Sequence, residues 1–432
     1  MNINDIPWGI PASKEKQALL NKEKIENIYL GQGLMFVPPV EAERDYNKYL
    51  IWQQLEPSDY PLDLIRAKWK AGDFYNSATL DTVWNEIQKE QFSKGFRTPE
   101  AFGDFIKKQS NETFEKLYQI DANEVATMQV DNLMQALRSV QKIVPNLMNG
   151  RTIDNVILPK KYKYSGHTDF VQSSKDIGLD IKIAEIPEIG IDGSQDIEGI
   201  RQTFEQVRDE GWLGIMIDQE HNNNASGFDR DEAYNHELAS LLHEFKDSII
   251  YFGDNAYKGL KEDILEPYPL MQLLVYKGIT AFHYTSFSKI GNYRWTPSFK
   301  NILASTPGDL AHTEKLRWAF NKIQRSEWIW ATADGAILMK ELVNSIDFQW
   351  EVRVLNQYLK YIRQGLEEWL QGTGLEALFG KWTNGIFRCV PPEVTKKLNS
   401  GKKQAITVWD RINIWPLGDP ETRKFFLESL GK

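Results

Sequence analysis

The sequence predicts an α/β fold: a three-layer α/β/α large domain on a mostly parallel sheet, joined to a smaller α+β domain. Three observations carry that expectation. Short β-rich runs recur through the middle third of the chain, helical stretches separate several of them, and after about residue 345 the texture changes to one long helix followed by strands.

The runs are Asn155-Val156-Ile157-Leu158, Ile181-Lys182-Ile183-Ala184, Gly214-Ile215-Met216-Ile217, Ser248-Ile249-Ile250-Tyr251-Phe252 and Ile279-Thr280-Ala281-Phe282. Between them 200–209 reads as a helix, and so does 230–245, where Leu238, Leu241, Leu242 and Phe245 recur at three- and four-residue spacing. Strands alternating with helices imply a sheet of parallel character covered on both faces, and ligands bind beyond the carboxyl ends of such strands. Past 345, Val352, Leu355, Leu359, Ile362, Leu366 and Trp369 mark one face of a long helix, which Gly372-Thr373-Gly374 should end. Two β-like stretches follow, 386–390 and 404–409. These features divide the chain into a large domain over 50–345 and a small domain made of 346–432 with the N-terminal segment 1–49.

With 432 residues, of which 41% are hydrophobic, the chain can build two full cores. A net charge of −9 argues against a general nucleic-acid binder, which carries a basic stripe. No apolar run reaches about 18 residues, and Met1-Asn2-Ile3-Asn4-Asp5 lacks the basic region and apolar core of a signal peptide, so no membrane attachment is expected. The single cysteine, Cys389, excludes an internal disulfide and fits a reducing compartment, so the expected location is cytoplasmic. The six histidines are dispersed, and His236 and His243 lack a His-Glu-x-x-His frame, so no metal is expected. Gly31-x-Gly33 lacks the third glycine of a dinucleotide loop, since position 36 is Phe.

Polar motifs fall where the strands should end. Asn224-Ala225-Ser226-Gly227 follows the 214–217 run by a short loop, Asp254-Asn255-Ala256-Tyr257 follows 248–252, and Ser286-Phe287-Ser288-Lys289 follows 279–282. Near the C-terminus lies Asp410-Arg411-Ile412-Asn413. A lysine amine can hold an aldehyde as an imine, a carboxylate can keep a pyridine nitrogen protonated, and a phenol can hydrogen-bond a ring oxygen. Those needs belong to pyridoxal phosphate. Taken singly each motif is ordinary, because an isolated Asp-Asn usually starts a turn and a lone lysine usually sits in solvent.

In this order and spacing, Asn-x-x-Gly, Asp-x-Ala-Tyr, Ser-x-Ser-Lys and Arg-Ile-Asn resemble the class I/II aminotransferases, the aspartate-aminotransferase-like enzymes of fold type I. The resemblance runs from about Gly31 to Arg411. It implies a homodimer that moves an amino group from an L-amino acid to a 2-oxo acid. Lys289 would form the internal imine and shuttle the α-proton, Asp254 would pair with the pyridine nitrogen, and Tyr257 and Asn224 would bond the phenolic oxygen. Arg411 would clamp the substrate carboxylate near Gly33 and Asn224. Tyr164 would stack on the ring, with Tyr162 as the alternative, and Ser286 and Arg294 would contact the phosphate. Tyr75 is a loose match to a residue reaching the neighbouring subunit.

Two departures from the family pattern stand out. The stretch 129–137, where Asn132 and Leu133 open a helix in the position of the first phosphate loop, lacks glycines and hydroxyls and brings in Asp131. Arg294 follows Lys289 by only five residues, closer than the family's arginine. No second arginine stands at 330–335 to read a side-chain carboxylate, so the donor expected is aromatic or otherwise apolar. The same lysine, aspartate and tyrosine would also serve a lyase or decarboxylase, and the altered phosphate loop leaves a degenerate, non-catalytic relative open.

Overall fold

The structure, a computed structural model of the chain, describes residues 26–29, 38–71, 85, 89, 99–160, 164–188, 196–219, 230–260, 263–287, 290, 301–306, 310–327, 333–374, 386–400, 403–406 and 411–431. Its strands are β1 (Glu26–Tyr29), β2 (Ala126–Gln129), β3 (Asn155–Pro159), β4 (Lys182–Ile186), β5 (Gly214–Asp218), β6 (Ile249–Asn255), β7 (Ala281–Ser286), β8 (Asn301–Thr306), β9 (Phe387–Cys389), β10 (Lys403–Ile406) and β11 (Arg411–Asn413).

Seven of these form one sheet in the order β2-β8-β7-β6-β5-β3-β4. Strands β3 to β7 pair in parallel, whereas β8 runs antiparallel between β7 and β2. The middle-third runs are all strands, and each ends later than its run, β6 by three residues and β7 by four. Gly253, Asp254 and Asn255 stay paired with His283, Tyr284 and Thr285, because the ladder between neighbouring backbones continues past the last apolar side chain. Asp254 therefore sits inside a strand end and not in the loop beyond it.

Strict side-chain alternation sorts the sheet into two apolar faces. Val156, Leu158, Ile215, Ile217, Phe252 and Phe282 pack with helices Leu133–Leu147, Ser165–Asp176 and Leu310–Glu327. Ile157, Met216, Ile249, Tyr251 and Ala281 face helices Ile197–Asp209, Glu232–Glu244 and Pro269–Tyr276. The result is the three-layer arrangement expected. Helix starts are fixed by side chains that accept otherwise unpaired first-turn amides: Asn132 from Gln135, Asp196 from Gly199 and Asp231 from Tyr234.

A third apolar cluster surrounds helix Ile346–Leu370, which buries Val352, Leu355, Leu359, Ile362 and Leu366 of the expected stripe. Tyr46, from helix Glu43–Trp52, meets Tyr358 edge-on at 5.5 Å. Strand β1 pairs in parallel with β10, and β9 pairs antiparallel with β11. The cluster continues without a break to Tyr257, Leu260 and Phe287, just past the ends of β6 and β7. It thus brings β9 and β11 over the carboxyl edge of the large sheet.

On the sheet face opposite Asp254, His283 is fully buried, its ring 6.4 Å from that of Phe114 and 6.0 Å from that of Tyr251. Burial pushes its imidazole down to about 3. The unfolded chain, whose histidine titrates near its ordinary value, takes the proton first. This residue's contribution is therefore complete above about pH 6.5 and is lost as pH falls toward 3, at up to about 1.4 kcal/mol per pH unit. Replacing His283 by leucine should flatten the acid limb of unfolding free energy against pH, measured by denaturant titration. An unchanged slope would mean that the imidazole accepts its proton within the fold.

Candidate active site

Asp254 lies at the carboxyl end of β6, 2% exposed, on the face shared with Phe252. Two donors converge on one of its oxygens: His167 Nε2 lies 3.1 Å from Oδ2, and Gln219 Nε2 donates to the same atom at 3.0 Å. His167 is reached because helix Ser165–Asp176 begins at the end of the segment following β3, and Gln219 because it is the first residue beyond β5. The other oxygen, Oδ1, is buried and has no hydrogen-bond partner among the described residues. A buried carboxylate oxygen left without a donor is costly, and it marks a position where a donor belongs.

The neighbouring residues are held by a polar framework behind them. Asp218, one residue before Gln219, faces the other way, where Arg230 donates both terminal nitrogens to it and Tyr251 donates its hydroxyl at 3.0 Å. Burial opposes the Arg230 charge, but the adjacent Asp218 carboxylate raises the guanidinium pKa. The chain leaving β5 is thereby anchored, and Gln219 is directed at Asp254. Lys258 fastens the turn at 256–259: its ammonium donates to the Glu266 carbonyl and lies 4.9 Å from the Tyr118 ring centre and 4.5 Å from that of Tyr268. Gly259 closes that turn at φ +87°, and a Cβ there would meet Ile264 at 2.4 Å.

Tyr257 projects from this turn, 3% exposed, and its ring meets Phe387 of β9 edge-on at 5.7 Å. Arg411, on β11, stacks its guanidinium over the same Phe387 ring at 4.4 Å. Tyr164, the residue before helix Ser165–Asp176, packs edge-on against His167 at 5.3 Å. Burial raises the pKa of both phenols. Asp254 adds to that rise, and Arg411 pulls each the other way. Both phenols therefore stay protonated as donors, and the four side chains lie within electrostatic reach of one another.

Ser286 is fully buried at the end of β7. Leu133 is the first residue of its helix and packs against the cluster containing Tyr284, which lies two residues before Ser286 on the same face of β7. The Asn132 side chain is spent on capping, accepting from Gln135 N at 3.0 Å. Asp131, beside it, has its carboxyl pushed up by burial.

Of the residues singled out in the sequence, Asp254, Tyr257, Tyr164, Arg411, Ser286 and Leu133 are gathered at this edge. Lys289, Asn224, Gly33, Arg294, Tyr75 and Tyr162 lie outside the described residues. Sequence reasoning missed Gln219, Phe387 and Tyr284, and it gave His167 no role. A signal existed for two of them: His167 falls on the same helical face as Tyr164, and Tyr284 shares alternation parity with Ser286. Among the described residues no group of three His, Cys, Asp or Glu side chains is placed to hold a metal, and no helix is long and apolar enough to cross a membrane.

No protein-family model matches the chain. No curated protein matches it either. Solved structures do. An aromatic amino acids aminotransferase from Psychrobacter sp. B6, cocrystallised with aspartic acid, superposes with a TM-score of 0.66 at 16% identity, covering 99% of this chain and 98% of its own. An aromatic-amino-acid aminotransferase from Burkholderia pseudomallei, covalently bound to pyridoxal phosphate, gives 0.63 at 15% identity, covering 100% and 99%. An aspartate aminotransferase from Trypanosoma cruzi gives 0.59 at 16% identity over 75% of this chain and 82% of its own. At such identities the likeness is one of fold, and in the first two structures it spans nearly the whole of both chains.

Proposed function

We propose that the chain is a pyridoxal-phosphate-dependent aminotransferase that transfers the amino group of an L-amino acid to a 2-oxo acid. The observation that carries this reading is Asp254, whose Oδ2 is saturated by His167 and Gln219 while Oδ1 remains buried with no donor among the described residues. A carboxylate in that state fits a ring N–H, and the phenols and guanidinium around it fit the other edges of the same group.

When bound, pyridoxal phosphate supplies an electron sink that stabilises the negative charge left when the α-proton departs. The chain's residues do the rest. Asp254 would hold the proton at the ring nitrogen, kept in place by His167 and Gln219. Tyr257, protonated by virtue of its burial, would donate to the ring oxygen together with Asn224. Tyr164 would cover the ring face. Lys289 would hold the group covalently and carry the proton at the substrate α-carbon. Arg411 would receive the substrate carboxylate as a fork, near Gly33 and Asn224. Ser286, Leu133, Asn132 and Arg294 would serve the phosphate end.

The same reading carries a homodimer, a cytoplasmic location, and a division near 50 and 345 into a large cofactor-binding domain and a smaller one. It favours an aromatic or otherwise apolar donor, since the rings of Phe387 and Tyr257 border Arg411 and two of the similar structures are of aromatic-amino-acid enzymes. Purified chain loaded with pyridoxal phosphate should convert 2-oxoglutarate to glutamate with a panel of twenty amino donors, and fastest with aromatic ones. Release of ammonia or carbon dioxide in place of glutamate would make it a lyase or decarboxylase. A chain that gains no cofactor absorbance would be a non-catalytic relative.

A further inference from the structure

We propose that Arg230 and Asp218 are positioning residues for Asp254, an ion pair on the far face of the sheet that holds Gln219 against Oδ2 and so leaves Oδ1 to meet the ring nitrogen. This rests on the reading of the site as a pyridoxal phosphate site. Asp218 and Gln219 are consecutive at the end of β5, so their side chains leave opposite faces of the sheet. Asp218 shares the face of Tyr251, and Gln219 that of Asp254. Because Asp218 stands level with Gly253 in the pairing of β5 with β6, Gln219 comes level with Asp254. Its amide then reaches the carboxylate at 3.0 Å.

On the far face both members of the pair are buried, and the Asp218 carboxylate takes three donors: the two terminal nitrogens of Arg230 and the Tyr251 hydroxyl. The guanidinium also lies over the Tyr234 ring at 4.9 Å, so two strands and helix Glu232–Glu244 fix one group between them. Two buried charges cost desolvation that two apolar side chains would avoid, and such replacements are often neutral or stabilising. Stability alone therefore does not account for the pair. What apolar side chains cannot supply is a planar, two-pronged contact that sets the rotation of the backbone at 218. That rotation aims the next side chain. On the near face, two partners on Oδ2 and none among the described residues on Oδ1 remove the two-fold symmetry of the Asp254 carboxylate. With His167 alone the carboxylate is held at one point, and its free oxygen is less well directed at the ring. The alternative is that the pair merely closes the end of the sheet.

Two ligands separate these roles: pyridoxal phosphate, and its benzene analogue with CH in place of the ring nitrogen and every other group kept. Apo protein is titrated with each, following tryptophan fluorescence, for the wild type, Gln219→Leu, the apolar pair Asp218→Leu with Arg230→Met, and all three substitutions together. The wild type should prefer pyridoxal phosphate, and Gln219→Leu should cut that preference about 10-fold or more, as for loss of a hydrogen bond to a charged group. The apolar pair should cut it by a similar factor and bind the analogue within about threefold of wild type, and the triple variant should lose no more than either, because the pair acts only through Gln219. Arg230→Lys, which keeps the charge but gives up the fork, takes the place of the apolar pair in the same comparison if that variant fails to fold. An unchanged preference in the pair variant, equal weakening of both ligands, or losses that multiply in the triple variant would overturn the proposal. A wild type without preference between the two ligands would overturn the placing of the ring nitrogen at Asp254, and the proposal with it.

Discussion

Asp254→Asn lowers kcat/KM for amino transfer by roughly 10²- to 10³-fold, or more, while leaving the fold intact. Asparagine has the shape of aspartate and can still accept from His167 and Gln219 at the Oδ2 position. The Oδ1 position then holds the amide N–H, where the wild type presents half of a negative charge. The proton that the ring nitrogen needs then has no counter-charge in a site 2% exposed. Removing one partner of a buried charge pair costs about 3–5 kcal/mol. At about 1.4 kcal/mol per tenfold in rate, that sets the stated loss. Steady-state kinetics at saturating cofactor measure it, and a thermal melt of the apo variant separates chemistry from folding. A variant within tenfold of wild type would remove Asp254 from the role assigned here.

The parts of the fold legible in the sequence are those where one physical signal dominates. Strands β3 to β7 announce themselves because runs such as Gly214-Ile215-Met216-Ile217 lie between polar helices, and helix Ile346–Leu370 because its stripe recurs over about five turns. Strands β2 and β8 escape notice: Ala-Thr-Met-Gln and Asn-Ile-Leu-Ala-Ser-Thr mix apolar and polar residues, and only pairing with β7 and with each other makes them strands. At the site, Asp254, Tyr257 and Arg411 stand out through motif order. Gln219 and Phe387 do not, because their relevance depends on which strands become neighbours. Gln219 reaches Asp254 only since β5 lies beside β6, and Phe387 meets Arg411 only since β9 pairs with β11. The 129–137 stretch is a different case. Its sequence reports missing hydroxyls, whereas its packing beside Tyr284 of β7 depends on long-range contacts that no local pattern reveals.

Arg411→Lys raises KM for the amino acid by roughly 10- to 100-fold and changes kcat far less. Arg411 is 4% exposed and its guanidinium carbon lies over the Phe387 ring at 4.4 Å, so packing positions it before any substrate arrives. A planar fork in that state meets both oxygens of a carboxylate at once. Lysine keeps the charge but offers a point donor on a flexible stem, with no plane to rest on the ring. Loss of a hydrogen bond to a charged group costs about 1.5–3 kcal/mol, which is the stated change in KM. One feature distinguishes this role from a general loss of positive potential. Donor and acceptor carry the same α-carboxylate, so KM for the 2-oxo acid must rise by a similar factor, whatever the side chain. Separate KM determinations for an aromatic donor and for 2-oxoglutarate test this symmetry. A change confined to one of the two substrates would move Arg411 from carboxylate clamp to side-chain reader.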